Sequence, residues 1–254
     1  MNPAIEASIL AKARALKSPG LARCFRERAR QAREAGWSYE EFLNEVLDEE
    51  LQNRAINAAK ERRRAAKFPV ERTLDQFDFA RQPQLDRDKL LRMARDLEWI
   101  SNAQPVLFAG SVGTGKTHLA TALGLAAAAK GIHVRFYRAD DLVRQLTEAK
   151  SEAEVGRTMA RLDRMRVLIV DELGFVPFDR TGAELLFNLL VKRYQRRSTI
   201  ITTNLKFSDW VRVFRDERMT AALLDRLAEN AHVFTTKGPS HRTGELTPVG
   251  GANS

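Results

Sequence analysis

The segment Gly110-Ser111-Val112-Gly113-Thr114-Gly115-Lys116-Thr117 constrains this chain more than anything else in it. Glycines, a lysine and a threonine at this spacing let backbone N–H groups turn inward around a polyphosphate. A helix starting there adds the positive end of its dipole. The flanks are those such a loop requires. Val106–Ala109 reads as a short buried strand, and 118–130 as an Ala/Leu-rich helix stopped by Gly131. Residues Gly110 through His118 are therefore expected to cradle a nucleotide, with Lys116 reaching the β- and γ-phosphates and Thr117 ligating Mg2+.

A second element points from binding toward catalysis. Arg166-Val-Leu-Ile-Val170 is an apolar, β-branched run that ends on Asp171 and Glu172, as a parallel strand buried on both faces does. Ligands of such sheets collect at strand C-termini. Asp171 is expected to hold Mg2+ through water, and Glu172 to polarise the attacking water. A third strand, 198–203, ends on Asn204, whose amide could bond the γ-phosphate or that water. Between them the spacing predicts a strand at 132–137 and helices at 140–149, 152–163 and 182–195. Strands alternating with helices of this length imply an α/β fold, a parallel sheet wrapped by helices.

Charge organises the remainder. Of the 254 residues, 42 are Lys or Arg and 33 Asp or Glu, a net +9 that favours an anionic partner. Residues 1–36 carry eight bases against three acids, 37–51 six acids and no base, and 52–72 seven bases against two acids. Such blocks suit helices with strongly signed faces. Arg23, Arg26, Arg30 and Arg33 recur at three- and four-residue steps on one predicted helix. Ser38 and Glu41 form a capping-box pattern opening a long helix to about Lys67, which ends in Arg62, Arg63, Arg64 and Lys67 before Pro69. These two clusters are the expected DNA-phosphate contacts, because aromatics for base stacking are sparse there. Three regions follow: a small helical DNA- or partner-binding domain at 1–68, an ATPase domain at 69–240 and a flexible tail at 241–254. The single Cys24 excludes an internal disulfide, and no apolar run approaches the ~18 residues of a membrane span. The expected location is cytoplasmic, at the nucleoid when DNA is bound, with no membrane partner.

At this point the sequence resembles a known family. The phosphate loop with Thr117-His118-Leu119-Ala120, Asp171-Glu172-Leu173-Gly174-Phe175, Arg193-Tyr194 and Ser198–Asn204 are similar to IstB-type transposition helper ATPases. So are Thr73–Phe79 upstream and Ala221–Leu227 downstream. The likeness runs from about Tyr39 to Arg242; the first 38 residues match loosely. The family belongs to the AAA+ ATPases, sister to DnaC-like helicase loaders. The resemblance implies a P-loop AAA+ core and ATP-dependent oligomers on double-stranded DNA, which remodel the DNA and present it to a transposase. It also implies ATP sites between subunits, completed by Arg226 from the neighbour, with Phe77 and Phe79 beside the nucleotide base. The chain departs from the family pattern at Ala228-Glu229-Asn230, where a His pair is usual, and at His241, where a Tyr precedes the arginine that is here Arg242. A DnaC-like helicase loader is the alternative reading, and an ATP-gated DNA clamp with negligible hydrolysis a third.

Overall fold

Pro3 and Pro19 sit in the first turns of the two opening helices, where a missing N–H is harmless and the fixed φ is already helical. They begin α1 (Pro3–Ala15), capped by the Asn2 side chain on the Ala4 N–H at 2.9 Å, and α2 (Pro19–Ala35). Gly36 ends α2 in the left-handed conformation. The expected capping box then forms: the Glu41 N–H donates to Ser38 Oγ at 3.2 Å, and the Ser38 N–H to the Glu41 carboxylate at 2.6 Å. It opens α3 (Tyr39–Ala66). The computed structural model describes residues 2–149 and 151–238. The chain divides into two compact units with the break after Glu61. Among the described residues no helix is long and apolar enough to cross a membrane.

In the first unit Ala13, Phe25 and Val46 are buried, a small core for three helices. Gly20 lets α2 approach α3 closely: a Cβ there would lie 2.7 Å from Glu50 and 2.9 Å from the Asn53 side chain. Into that space Glu50 brings its carboxylate, which accepts from the Gly20 and Leu21 N–H groups at 2.8 and 3.1 Å. An anion at a helix N-terminus is favourable. Burial pushes the Glu50 pKa up, but the hydrogen bonds from Arg54, Leu21 and Gly20 prevail and hold it below the usual range.

The second unit is an α/β layer structure. After two 3₁₀ turns come α4 (Arg87–Asp96) and α5 (Glu98–Ser101), then β1 (Val106–Gly110), α6 (Lys116–Ala129), β2 (Val134–Arg138), α7 (Ala139–Thr147) and α8 (Glu152–Arg164). β3 (Val167–Leu173), α9 (Arg180–Arg193), β4 (Ser198–Thr203), α10 (Val211–Phe214), α11 (Glu217–Asn230) and β5 (His232–Thr236) follow. The five strands are parallel in the order β2-β3-β4-β1-β5. One core, with Phe108, Leu119, Leu123, Ile169 and Ile200, lies under α6; the other, with Leu142, Leu168, Leu186, Ile201 and Trp210, lies under α7 and α9. Both faces of the sheet are therefore covered, which explains the unbroken apolar reading of β3. The expected strands and helices form within a few residues of their anticipated limits. α9 starts earlier because Asp179 caps it, accepting from the Gly182 N–H at 2.8 Å. The elements α4, α5, α10, α11 and β5 had no counterpart in the sequence reading.

Candidate nucleotide site

The loop between β1 and α6 takes its shape from its glycines. Gly110 has φ +147 and touches β5, where an added Cβ would meet the Thr236 carbonyl oxygen at 2.1 Å. Gly115 has φ +92 and lies on the Phe77 ring, 2.6 Å from where a Cβ would sit. No L side chain fits either place. Thr114 is fully buried and points inward, its hydroxyl bonded to Ser111 O at 2.8 Å and to Thr236 Oγ1 at 2.6 Å. Lys116 Nζ donates to the carbonyls of Gly110 and Ser111 at 2.8 and 2.6 Å, so its ammonium lies within the turn of the loop. Of the nine loop residues, Val112, Gly113, Gly115, Lys116, Thr117 and His118 line the cleft; Gly110, Ser111 and Thr114 hold its wall.

The two acids at the end of β3 separate because the strand is irregular there. The pairing of β3 with β4 shifts between Val170 and Leu173, and Glu172 adopts φ +58. Asp171 then faces α6, accepting from Thr117 Oγ1 at 2.9 Å and from Thr202 Oγ1 at 2.6 Å. The same Thr202 hydroxyl accepts the Glu172 N–H at 2.8 Å, fixing the strained residue. The Glu172 carboxylate turns the other way and pairs with Arg138 at 2.6 Å. Burial pushes the Asp171 pKa up against its two hydroxyl hydrogen bonds, the environment of a carboxylate that gains from a cation. Asp171 with Thr117 is an oxygen pair suited to Mg2+, which keeps few protein ligands and shares the rest with phosphates and water. Both donors are hard oxygens, a hydroxyl and a carboxylate, the ligand type that suits a hard cation.

A cleft of about 550 Å³ runs along these residues, also lined by Arg138, Phe175 and Asn204. Its other wall is the segment before α4. Thr73 and Gln76 make a capping box there, and His118 Nε2 donates to the Thr73 carbonyl at 2.8 Å. Burial holds the His118 imidazole below its usual pKa. Phe77 packs edge-on against His118 and lines the cleft. Phe79 does not line it: it sits behind Phe77, its ring 4.8 Å away, under the Arg87 guanidinium.

Residues 11–246 match the family model for IstB-like ATP binding proteins. The chain belongs to this family. The ATP-binding protein of insertion sequence IS21 from Pseudomonas aeruginosa is 39% identical over 87% of this chain and 83% of its own length. That of IS232 from Bacillus thuringiensis subsp. berliner is 35% identical over 81% and 82%. Among solved structures, the DnaC helicase loader superposes with a TM-score of 0.52 at 24% identity, covering 65% of this chain and 96% of its own. The replication initiator DnaA, bound to AMPPCP and single-stranded DNA, gives 0.57 at 20%, covering 68% and 52%. These likenesses carry the fold: the IstB-like chain has a P-loop AAA+ core preceded by a helical amino-terminal region.

The other anticipated residues of this IstB-like protein are not among those that line the cleft. Arg226, on α11, does not line it; its Nη1 donates to Ala222 O at 2.8 Å within its own helix. Arg62 is turned inward, its Nε donating to the Ala128 carbonyl at 3.1 Å at the C-terminal end of α6, where a cation suits the dipole. Arg63 pairs with Glu71. In α2, Arg23 bonds Asn53, Arg26 pairs with Glu6 at 2.5 Å and Arg30 with Glu27 at 2.7 Å. Arg33, Arg64 and Lys67 are exposed, and their side chains make no ion pair with another described residue. Arg242 and the anticipated tail at 241–254 lie outside the described residues. Arg138 and Thr202 were not anticipated. The register that sets Arg138 beside Asp171 is invisible until β2 and β3 are paired.

Proposed function

We propose that this protein is an ATPase that assembles on double-stranded DNA, remodels it and hands the target to a partner transposase. The observation that carries the reading is the hydrogen-bonded series Thr117–Asp171–Thr202–Glu172 beside the phosphate loop, in a chain of the IstB-like family. In this assignment Lys116 and the loop N–H groups hold the phosphates, and Thr117 and Asp171 hold Mg2+. Glu172 accepts a proton from water, and Asn204 orients that water or the γ-phosphate. Mg2+, when bound, supplies charge neutralisation on the β- and γ-phosphate oxygens. Phe77 stands beside the base, with Phe79 supporting it. The division of labour follows the expected regions, with 1–68 gripping DNA or a partner and 69–240 acting as the motor.

The arginines of the amino-terminal region support the DNA contact. Arg26 and Arg30 keep more than half of their side chains exposed although each is paired, and exposed ion pairs are weak enough to exchange for phosphate. Purified protein with ATP and Mg2+ is expected to bind duplex DNA, and affinity should fall roughly a thousand-fold between 50 and 200 mM salt if about six phosphates are neutralised. Fluorescence anisotropy across that range tests it; absent or salt-insensitive binding rejects the assignment. The helicase-loader reading rests on fold likeness alone, and a pulldown yielding helicase without transposase would restore it. The clamp reading differs only in turnover, which phosphate release measures.

Arg226 is placed in the reading as the arginine that a neighbouring subunit contributes to each ATP site. Its position outside its own cleft supports this. Arg226→Ala and Lys116→Ala should each abolish hydrolysis, and mixing the two should restore turnover well above either alone, because hybrid interfaces combine an intact loop with an intact arginine. No recovery on mixing removes Arg226 from the intersubunit site.

A further inference from the structure

Where β5 ends, the consecutive residues Thr236 and Lys237 hold both sides of the nucleotide cleft. Thr236 and Thr114 are fully buried, and their hydroxyls lie 2.6 Å apart. A hydroxyl has a single proton to donate. Thr114 gives its own to Ser111 O at 2.8 Å, so the proton between the two threonines comes from Thr236. Ser111 O also accepts from Lys116 Nζ at 2.6 Å, which occupies its second lone pair. The bonds thus run in one direction, from the Thr236 hydroxyl to the Thr114 hydroxyl to the Ser111 carbonyl, and that carbonyl holds the Lys116 ammonium. On the other side the buried Gln82 amide pairs twice with the backbone of Lys237, donating to its carbonyl at 2.8 Å and accepting its N–H at 3.0 Å. Gln82 ends the 3₁₀ turn that follows Phe77, the ring that lies on Gly115.

Packing alone does not call for these groups. Valine matches threonine in shape and would fill the contact between β5 and the loop with no hydroxyl to satisfy, whereas a buried hydroxyl is costly unless it is bonded. What the threonines add is a fixed length and direction, which a satisfied polar network supplies. We infer that Thr236 and Gln82 are positioning residues for the nucleotide. Thr236 sets the phosphate loop through Thr114, and Gln82 sets the wall that carries Phe77, both against one fixed point of the sheet. Neither lines the cleft, so each acts through another side chain. The inference rests on the reading of Lys116 as a phosphate ligand and of Phe77 as the neighbour of the base. Without the Thr236 hydroxyl nothing directs the Thr114 proton at Ser111, and the loop keeps its receptive shape for less of the time. A receptive fraction of about one tenth raises the apparent dissociation constant about tenfold.

Full-length protein with Mg2+ is titrated with a fluorescent ATP analogue, and sodium tripolyphosphate serves as a competitor that has phosphates and no base. Thr236→Val should weaken both ligands about tenfold, and Thr236→Ser, which keeps the hydroxyl, should bind them as wild type does. A residue needed only for stability would instead lose binding sites at an unchanged dissociation constant. Gln82→Met reads the other tie whether or not the valine variant folds. It should weaken the ATP analogue about tenfold and leave tripolyphosphate unchanged. Affinities of Thr236→Val within about twofold of wild type, a Thr236→Ser protein as weak as Thr236→Val, or a Gln82→Met protein that treats the two ligands alike would each overturn the positioning role while leaving the nucleotide site in place. A wild type that binds neither ligand overturns the nucleotide reading, and this inference with it.

Discussion

Glu172→Gln is expected to lower ATP turnover by about 10²–10⁴-fold while leaving nucleotide affinity within about twofold of wild type. Glutamine keeps the volume of the side chain, and the backbone that holds it stays in place through the Glu172 N–H to Thr202 Oγ1 bond at 2.8 Å. What is removed is the carboxylate, the group assigned to accept a proton from water. Lys116, Thr117 and Asp171, which bear on binding, are untouched. Phosphate release and binding of a fluorescent nucleotide, measured on the same preparation, separate the two effects. In the presence of duplex DNA and ATP the variant should remain in its DNA-bound assembly. Turnover within a few-fold of wild type would move the role of base to another residue.

Arg193→Met is expected to cost about 3–5 kcal/mol of stability in the second unit. Arg193 is fully buried at the end of α9 without a carboxylate bonded to it. Its guanidinium donates to Leu162 O at 2.7 Å, Met165 O at 3.0 Å, Ser198 O at 2.7 Å and Thr199 Oγ1 at 3.0 Å. One side chain thereby ties the end of α8 and the start of β4 to α9. Burial pulls its pKa down to about 9, which still leaves it charged at neutral pH. Methionine fills much of the space but removes the guanidinium from three carbonyls and a hydroxyl, of which Leu162 O keeps the Met165 N–H; losing one partner of buried bonds is the expensive direction of change. Calorimetry should show the melting temperature lowered by roughly 6–20 °C. A shift under 2 °C would mean that water replaces the guanidinium at little cost. Lysine at this position is no remedy, because one ammonium cannot span four acceptors on two elements.

The parts of the site legible in the sequence are those whose chemistry is local. The phosphate loop announces itself because three residue types fill four positions at fixed spacing between a strand and a helix. The ends of β3 and β4 are legible because an apolar run stops on a polar residue. Thr202 was read only as a strand former, since nothing in Ser198–Thr203 distinguishes a hydroxyl that joins two acids from one that merely lines a strand. Arg138 stands 34 residues from Glu172 and meets it only through the β2–β3 register. Arg193 was noticed as part of a motif, but its burial depends on carbonyls of α8 and β4 that no helix pattern contains. β5 escaped because His232–Thr236 is a short edge strand with three of its five side chains polar. One signal could have been used: Thr73-x-x-Gln76 is a capping-box pattern and places the turn beside the loop.

The 14 residues of α6 make a rod of roughly 21 Å. One end carries Lys116 and Thr117. The other is gripped by Arg62, while midway Gly124 has no side chain, so Phe68 and Ile169 press directly on the backbone; a Cβ would lie 2.8 Å from each. Arg135, on β2, donates to Ala65 O at 2.7 Å and so ties the same stretch of chain to the sheet. A close-packed helix fastened in this way does not bend; it tilts as a strut. α6 thus runs from the phosphate loop to the stretch that holds Arg62 and Phe68. In mechanical terms the nucleotide would sit at one end of a strut whose other end is held by Arg62, within the same unit.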